Sequence, residues 1–309
     1  MHFLFIFIDG IGLGPNDISS NPFAKALLPN LNSLIGNKKL VIETLEENGY
    51  RITSKLATFL GLDANLGING HPQSATGQAT ILTGINVPKK LGMHFGPWPN
   101  EEIRTLLREN SIFTVLKSRG FKSILLNAYP QSYFDRIDSG RRLPGAVAMS
   151  VLDAGIQLMT TEDLIAGEAL SADFTGEGWH NRINNTDIPI ITLDEAGRIM
   201  TKLAFANDFS FFEFWISDYA GHRADMDEAC ALLENFDAVI GSLISSWKPS
   251  EGLIFITSDH GNLENTNTRG HTRNLVPGII IGDEEYRNIF ADELTDLSGI
   301  SPAILKFFQ

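Results

Sequence analysis

Short apolar runs alternate along this chain with longer stretches of helical period. The runs are rich in aromatic and β-branched residues, and they cover Phe3 to Ile8, Ser123 to Asn127, Phe209 to Ile216, Leu253 to Thr257 and Val276 to Ile281. Between them, apolar residues return every three to four positions, as on one face of a helix. The alternation predicts an α/β fold with a mainly parallel sheet flanked by helices.

The firmest helix is predicted over Met226 to Trp247, where the three-to-four spacing is sustained. A second begins at Thr192-Leu-Asp-Glu195, which fits a capping box, and runs toward Ala206. Two shorter helices are predicted as well, one over Ser111 to Ser118 before Gly120 and one opened by Ser301-Pro302.

Residues 131–187 have a different composition from the rest. They are polar and rich in glycine, contain no strong strand pattern, and include Arg136, Arg141 and Arg142. We therefore expect residues 1–130 and 188–309 to form one catalytic core, with 131–187 as a small inserted cap.

The charge balance limits the partners that the chain can have. It carries 37 acidic against 24 basic residues, for a net charge of −13 over 309 residues. This speaks against nucleic acid polymers and anionic membranes, since both need basic patches. A lone cysteine, Cys230, excludes a disulfide framework and fits a cytoplasmic protein. The apolar start is ended by Asp9-Gly10 and predicts a core strand rather than a signal peptide.

Acidic residues stand just after three of the predicted strands. These are Asp9, Asp218 and Asp259. The carboxyl ends of parallel strands share one edge of a sheet, where ligands bind, so we expect the three carboxylates to converge. Carboxylates close together raise one another's pKa unless a cation neutralises them, and the cluster therefore predicts bound metal.

Histidines accompany these acids. His222 follows Asp218 by four residues, His260 follows Asp259 directly, and His271 precedes the last predicted strand. Each of these residues alone is more often a turn, helix or surface residue, but their joint occurrence favours a metal site. Carboxylates and imidazoles without thiolate suit Zn²⁺ or Mn²⁺ better than Ca²⁺.

Ser74 is the candidate nucleophile. It lies just before the N-terminus of a short helix that is predicted to begin near Thr76. Helix N-terminal N–H groups would hold a phosphate against Ser74, which favours phosphoryl over acyl transfer. The G-x-S-x-G nucleophile elbow of α/β-hydrolases is absent, because Pro72 occupies the position of its first Gly. The alternative is that Ser74 and Thr76 are simply turn or cap residues.

Taken together, the motifs resemble the alkaline phosphatase superfamily, most closely its cofactor-independent phosphoglycerate mutase and phosphopentomutase branch. The resemblance is carried by Asp9-Gly-Ile-Gly, Ser74 to Gly77, Ser217-Asp218-Tyr-Ala-Gly-His222, Ser258-Asp259-His260-Gly261-Asn262 and Gly270-His271-Thr272, in family order. It covers both ends of the chain and does not extend over the middle.

The resemblance implies two divalent ions, Mn or Zn. One would be held by Asp218, His222 and His271, and the other by Asp9, Asp259, His260 and the Oγ of Ser74. It also implies a phosphoserine intermediate on Ser74, with the hydroxyl activated by metal coordination.

The substrate is expected to be a small phosphorylated molecule. Where the mutase branch has a His after the nucleophile motif, this chain has Gln78, so a phosphatase or phosphodiesterase is the leading prediction. The alternatives are a phosphomutase acting on a small sugar phosphate or phosphoglycerate, and a metal-binding homologue without turnover. Gln78, Arg141 and Arg142 are the candidate substrate contacts, although solvated arginines are the commoner case. The sequence leaves the oligomeric state open.

Overall fold

The fold is built around one β-sheet. Within residues 1–292 and 294–309, which the computed structural model describes, it contains seven strands in the order β2-β3-β7-β6-β1-β5-β4. Their bounds are β1 His2–Ile8, β2 Arg51–Thr53, β3 Ala57–Leu62, β4 Ser123–Leu125, β5 Phe209–Phe214, β6 Gly252–Thr257 and β7 Val276–Ile281. The pairs that join β4, β5, β1 and β6 are parallel, whereas β7, β3 and β2 add antiparallel pairs at one side.

Helices flank both faces of this sheet. They are α1 Pro22–Lys25, α2 Pro29–Leu34, α3 Ile42–Glu46, α4 Ser74–Thr83, α5 Val87–Leu91, α6 Glu101–Asn110, α7 Ile112–Ser118, α8 Gln131–Asp138, α9 Ala146–Asp153, α10 Thr161–Ile165, α11 Glu177–Ile183, α12 Leu193–Phe205, α13 Ile216–Arg223, α14 Met226–Ser246, α15 Glu284–Ala291 and α16 Ile300–Leu305. Two 3₁₀ turns, Leu297–Gly299 and Lys306–Phe308, flank α16. The predicted α/β class is confirmed.

Both faces of the sheet are covered, which explains the unbroken apolar strands. Along β1, Phe3, Phe5 and Phe7 enter one core cluster, while the alternate residues Leu4, Ile6 and Ile8 enter the other. Helix α4 packs in the first cluster, and α12 and α14 pack in the second. A strand buried on both sides needs apolar residues at every position, as the sequence of β1 has.

Several predicted boundaries differ from the structure. Strand β5 ends at Phe214, two residues earlier than predicted, because the apolar run continues into the first turn of α13. Helix α4 begins at Ser74 itself rather than near Thr76. Strands β2 and β3 were not predicted, since β2 is only three residues long and neither face of it is fully buried. The predicted capping box at Thr192 is present, with both of its hydrogen bonds.

Residues 131–187 contain α8 to α11. Helix α9 packs against α4, α6 and α7 and shares their core cluster. Two isolated bridges, from Asn127 to Leu170 and from Ala128 to Met159, continue from the end of β4 into the segment. The division of the chain into a core and an inserted cap stays a prediction.

Helix α14 is long and apolar enough to span a membrane by length and composition, and half of its apolar stretch is buried in the protein. Its buried residues Leu233, Phe236 and Val239 lie in the second core cluster, and the helix contacts α12, α1 and α2. The core helix of a globular domain has the same properties, and this packing accounts for the apolar face.

Candidate metal centre

The topology of the sheet brings the predicted ligands together. Strands β1, β5 and β6 are parallel neighbours, so the residues that follow them, including Asp9, Asp218 and Asp259, lie at one edge. Strand β7 runs antiparallel to β6, and its N-terminal end, preceded by His271, therefore reaches the same edge. Four distant parts of the sequence thus supply side chains to one place.

The first group of side chains consists of Asp9, Asp259 and His260, all of them buried, and their potential ligand atoms lie within 4.8 Å of one another. His260 Nε2 lies 3.5 Å from Asp9 Oδ1 and 3.6 Å from Asp259 Oδ2. The Oγ of Ser74 is 3.0 Å from the same nitrogen. All four residues that the resemblance assigns to one ion are therefore adjacent.

The second group consists of Asp218, His271 and again His260. His271 Nε2 lies 3.8 Å from Asp218 Oδ1, and His222 Nε2 lies 3.2 Å from Asp218 Oδ2. The rings of His260 and His271 stack with centroids 3.7 Å apart. His260 joins the two groups, so they form one continuous centre rather than two separate sites.

The chain approaches itself closely here. Gly10 follows Asp9 at φ +71°, and a Cβ at this position would lie 2.5 Å from Asp218 Oδ1. A glycine is needed both for the left-handed backbone and for the space that the Asp218 carboxylate occupies. The Asp9-Gly10 pair is thus more than a turn after a strand, because it lets two carboxylates meet.

The electrostatics of the centre are those of a site that needs a cation. Among the described residues, Asp9 Oδ1, both carboxylate oxygens of Asp259 and Nδ1 of His260 are buried without a hydrogen-bond partner. Burial, together with the charges of Asp259 and Asp218, raises the pKa of Asp9 well above its usual range. Burial and the charge of Asp218 raise the pKa of Asp259 to about 8. Burial, together with His271, lowers the pKa of His260 well below its usual range, which keeps this imidazole neutral.

These residues fit a divalent metal. A buried polar atom without a partner is costly, and here several such atoms, carried by carboxylates and a neutral imidazole, face one another. A bound cation would satisfy them and would favour the ionised carboxylates. His222 and His271 are oriented as ligands usually are, because their Nδ1 atoms lie 2.6 Å and 2.8 Å from the carbonyl oxygens of Arg269 and Pro72.

Ser74 is the first residue of α4. The amide of Thr76 donates to Phe95 O at 3.1 Å, and that of Gly77 donates to Gln73 O. In the described part of the chain, the N–H groups of Ser74 and Ala75 have no such backbone acceptor. They remain at the helix N-terminus beside the Ser74 hydroxyl, where an anion would be favoured.

The three predicted substrate contacts have different surroundings. Gln78 is buried, and its Nε2 is 3.5 Å from Asp9 Oδ2, so it lies against a candidate ligand. The guanidinium of Arg142 lies over the rings of Trp98 and Tyr133, 5.4 Å and 5.1 Å from their centroids. Arg141 is exposed, and no ion pair involves it within the described residues. A third arginine, Arg182 of α11, stacks on Tyr219 beside Asp218 and was not predicted.

Sequence reasoning also missed the residues that support the ligands. Ser217 Oγ lies 2.6 Å from the carbonyl oxygen of Asp9, and Ser258 Oγ accepts from the amide of Ile11 at 2.9 Å. Asn262 Nδ2 donates to Asp218 Oδ1 at 2.7 Å. Buried Glu264 accepts from several loops at once. Ser217, Ser258 and Asn262 belong to the motifs that carry the resemblance, but no supporting role was predicted for them. Glu264 adjoins no predicted ligand and has no such signal.

Comparisons with known proteins identify the family of this chain. The model of the Metalloenzyme superfamily matches residues 1–309. The phosphopentomutase of Kosmotoga olearia is 30% identical over 117 residues, which are 38% of this chain and 28% of that protein. The 2,3-bisphosphoglycerate-independent phosphoglycerate mutase of Ruegeria sp. is 34% identical over 99 residues, which are 30% of this chain and 20% of that protein. The matches thus span less than a third of these relatives.

The alkaline phosphatase from the Antarctic bacterium TAB5 has a similar fold, with a TM-score of 0.56 and 14% identity over 99% of this chain and 98% of that one. The predicted resemblance to the alkaline phosphatase superfamily and its mutase branch is confirmed. Because the family model covers the whole sequence, the chain belongs to the Metalloenzyme superfamily, and this membership implies that it binds divalent metal.

Proposed function

We propose that this protein transfers the phosphoryl group of a small phosphate ester to Ser74, with two divalent ions, Mn²⁺ or Zn²⁺, at the centre described above. The observation that carries the proposal is the position of Ser74 Oγ, 3.0 Å from Nε2 of His260, the residue common to both ligand groups. A hydroxyl placed at the junction of two candidate metal sites is suited to attack a phosphorus atom held between them.

The proposed ligand sets are Asp9, Asp259, His260 and Ser74 for one ion, and Asp218, His222 and His271 for the other. The carboxylates and imidazoles in both sets favour Mn²⁺ or Zn²⁺. When bound, the ions would neutralise the phosphoryl oxygens and favour loss of the Ser74 proton.

The chain's own groups account for the remaining steps. The free N–H groups at the start of α4 hold the phosphoryl oxygens beside Ser74. Ser74 Oγ forms a bond to phosphorus as the ester P–O bond breaks, and the bonding pair leaves on the substrate oxygen, which takes up a proton. Water then cleaves the phosphoserine and releases inorganic phosphate.

Arg142 is the proposed contact for the organic part of the substrate. Its guanidinium contacts two aromatic rings, and no carboxylate pairs with it among the described residues. Trp98, one of these rings, is two residues from Gly96, whose Cβ position is 3.3 Å from the Ser74 amide nitrogen. An arginine held in this way keeps its N–H edges available for an anionic group.

A phosphomutase is the second candidate, because the curated relatives are phosphopentomutases and phosphoglycerate mutases. In a mutase the phosphoserine would pass its phosphoryl group back to another hydroxyl of the same molecule instead of to water. The hydrolase and the mutase share every step up to the phosphoserine and differ in the acceptor.

The test is a panel of aryl, sugar and hydroxy-acid phosphates given to protein loaded with Mn²⁺ or Zn²⁺. We expect steady release of inorganic phosphate for a hydrolase, and isomerised ester without much release for a mutase, both followed by phosphorus NMR. Ser74→Ala should lower turnover by at least about 10³-fold and leave no phosphoserine in acid-quenched protein. Asp259→Ala should also be inactive.

Full activity in Ser74→Ala would refute the nucleophile, and equal activity in Asp259→Ala would refute the two-metal mechanism. An exposed serine outside the centre, Ser33, provides the control, since Ser33→Ala should behave as the wild type. A loaded protein that turns over no ester and forms no phosphoserine would instead support the non-catalytic homologue.

A further inference from the structure

A buried carboxylate that is not among the candidate ligands lies behind the metal centre. Glu264 follows β6 by seven residues and has no exposed surface. Within the described residues it forms no ion pair with a lysine, arginine or histidine, so hydrogen bonds alone compensate for its burial. A buried carboxylate is stable in this way only when donors satisfy both of its oxygens.

The donors come from three different parts of the chain. Oε2 accepts from the amide of Gly12 at 2.9 Å and from that of Asn262 at 2.7 Å. Oε1 accepts from the hydroxyl of Thr272 and, at 2.9 Å, from Nδ2 of Asn274. Both oxygens are thereby satisfied, each by two donors.

Each of these parts carries candidate ligands. Gly12 belongs to the loop of Asp9, Asn262 belongs to the loop of Asp259 and His260, and Thr272 follows His271 directly. Asn262 also donates to Asp218 Oδ1, which extends the network to the fourth ligand segment. Glu264 is therefore linked by one or two hydrogen bonds to all the strand-end segments of the centre.

The packing around Glu264 is close enough to fix these loops. An added Cβ at Gly12 or at Gly261 would lie 2.3 Å from Glu264 Oε1, so both loops touch the carboxylate with their backbones. Gly261 and Thr272 are also joined directly by a backbone hydrogen bond of 2.9 Å. A small shift of the carboxylate would consequently move several loops together.

We propose that Glu264 is a positioning residue of the metal centre, which binds no metal itself but holds three ligand loops in register and so sets the metal affinity of both sites together. The three candidate carboxylates repel one another before metal binds, and the loops that carry them need an internal link to stay in place. The inference rests on the ligand sets of the proposed function.

The test is to titrate the metal-free protein with Mn²⁺ in a calorimeter and to measure the affinity of each site. Glu264→Gln keeps the size of the side chain but replaces one acceptor with a donor. Loss of a group that orients metal ligands typically costs about 10–100-fold in affinity, and we expect a fall of this size at both sites. Electron paramagnetic resonance should also show altered spin coupling between the two bound Mn²⁺ ions.

Asp237 provides the matched control. It is 2% exposed and accepts hydrogen bonds from the amides of Asn30 and Leu31 and from Nδ2 of Asn30, which ties α14 to α2. Asp237→Asn makes the same chemical change in a buried, backbone-binding carboxylate outside the centre. It should lower the thermal stability comparably and leave the Mn²⁺ affinity within about twofold.

Thr272→Val keeps the inference testable if Glu264→Gln does not fold, since it removes one donor to Glu264 and keeps the carboxylate. We expect it to weaken Mn²⁺ binding about three- to tenfold. Wild-type affinity in Glu264→Gln, wild-type affinity in Thr272→Val, or an equal loss in Asp237→Asn would overturn the positioning role. Wild-type protein that binds neither Mn²⁺ nor Zn²⁺ would overturn the proposed metal centre instead.

Discussion

Glu213 is the single charged residue of strand β5. Strand alternation places it on the same face as Phe209 and Phe211, and burial raises its pKa from 4.5 to about 7. The folded protein therefore holds the Glu213 proton more tightly than the unfolded chain, so this residue makes stability fall as the pH rises from about 4.5 to 7. Its negative charge also contributes to raising the pKa of Asp9.

We accordingly expect Glu213→Gln to stabilise the metal-free protein at alkaline pH. The free energy of unfolding should exceed that of the wild type by about 1–3 kcal/mol at pH 8 and differ by less than about 0.5 kcal/mol at pH 4.5. Urea unfolding in the presence of a chelator measures both values. Exposed Glu168, changed to Gln, should show no such difference. A Glu213→Gln advantage of the same size at both pH values would contradict the expectation.

Some residues of the centre could be predicted from the sequence, and others could not. Asp9, Asp218 and Asp259 were predictable because a residue just after a parallel strand has a known location relative to the ends of other strands. Glu264 was not, since its hydrogen bond to the Gly12 amide joins positions 252 residues apart. No local period or spacing encodes such a contact, which exists only after the loops have met.

Helix α4 is the element on which the nucleophile depends. Gly77, one turn after Ser74, packs directly against the loop of Asp259, and an added Cβ would lie 2.9 Å from Asp259 Cβ and 3.0 Å from its carbonyl oxygen. The contact places the start of the helix at the metal centre. Any side chain at this position would push the helix and the loop apart.

Gly77→Ala should therefore impair activity more than stability. Alanine favours the helix by roughly 1 kcal/mol, which partly offsets the steric cost, so we expect a Tm within a few degrees of the wild type. Displacement of Ser74 from Asp259 by a few tenths of an ångström should lower kcat/KM about 10–100-fold. Gly145→Ala is the control, because nothing lies within 4 Å of its Cβ position. Unchanged kcat/KM in Gly77→Ala would refute the argument.

The strands also show how far hydrophobic patterns can predict the boundaries of secondary-structure elements. Strands β1, β6 and β7 were predicted within a residue of their observed bounds, because they are apolar throughout and flanked by turns. The end of β5 was missed, since Trp215 and Ile216 continue the apolar run although the backbone has already turned toward α13. Hydrophobicity alone does not mark a change from strand to helix when both sides of the boundary are apolar.

For the whole molecule, the negative net charge disfavours the anionic substrate that the proposed site binds. A chain of net charge −13 repels phosphate esters over long distances, yet three of its acidic residues, Asp9, Asp218 and Asp259, converge at the proposed site. Two divalent ions would add four positive charges where the ester binds. The expectation that the chain binds no polyanion is therefore compatible with a small anion at the metal-loaded centre.

The same convergence predicts that bound metal stabilises the folded protein. The buried atoms of Asp9, Asp259 and His260 that lack partners in the described structure weaken the metal-free fold, whereas the unfolded chain exposes them to water. A ligand that binds only the folded state stabilises it by about 2.7 kcal/mol per site at a concentration of one hundred times the Kd. We expect saturating Mn²⁺ or Zn²⁺ to raise the Tm of chelator-treated protein by roughly 5–15 °C.

Differential scanning calorimetry over a series of Mn²⁺ concentrations measures this shift, which should keep growing as the concentration rises above the Kd. Asp259→Ala should lose most of it, because that variant removes two of the unpartnered oxygens and a candidate ligand. Asp227→Ala, at an exposed acid paired with Lys25, should keep the whole shift. A Tm that does not respond to either metal, or a full response in Asp259→Ala, would show that these carboxylates do not meet to hold an ion.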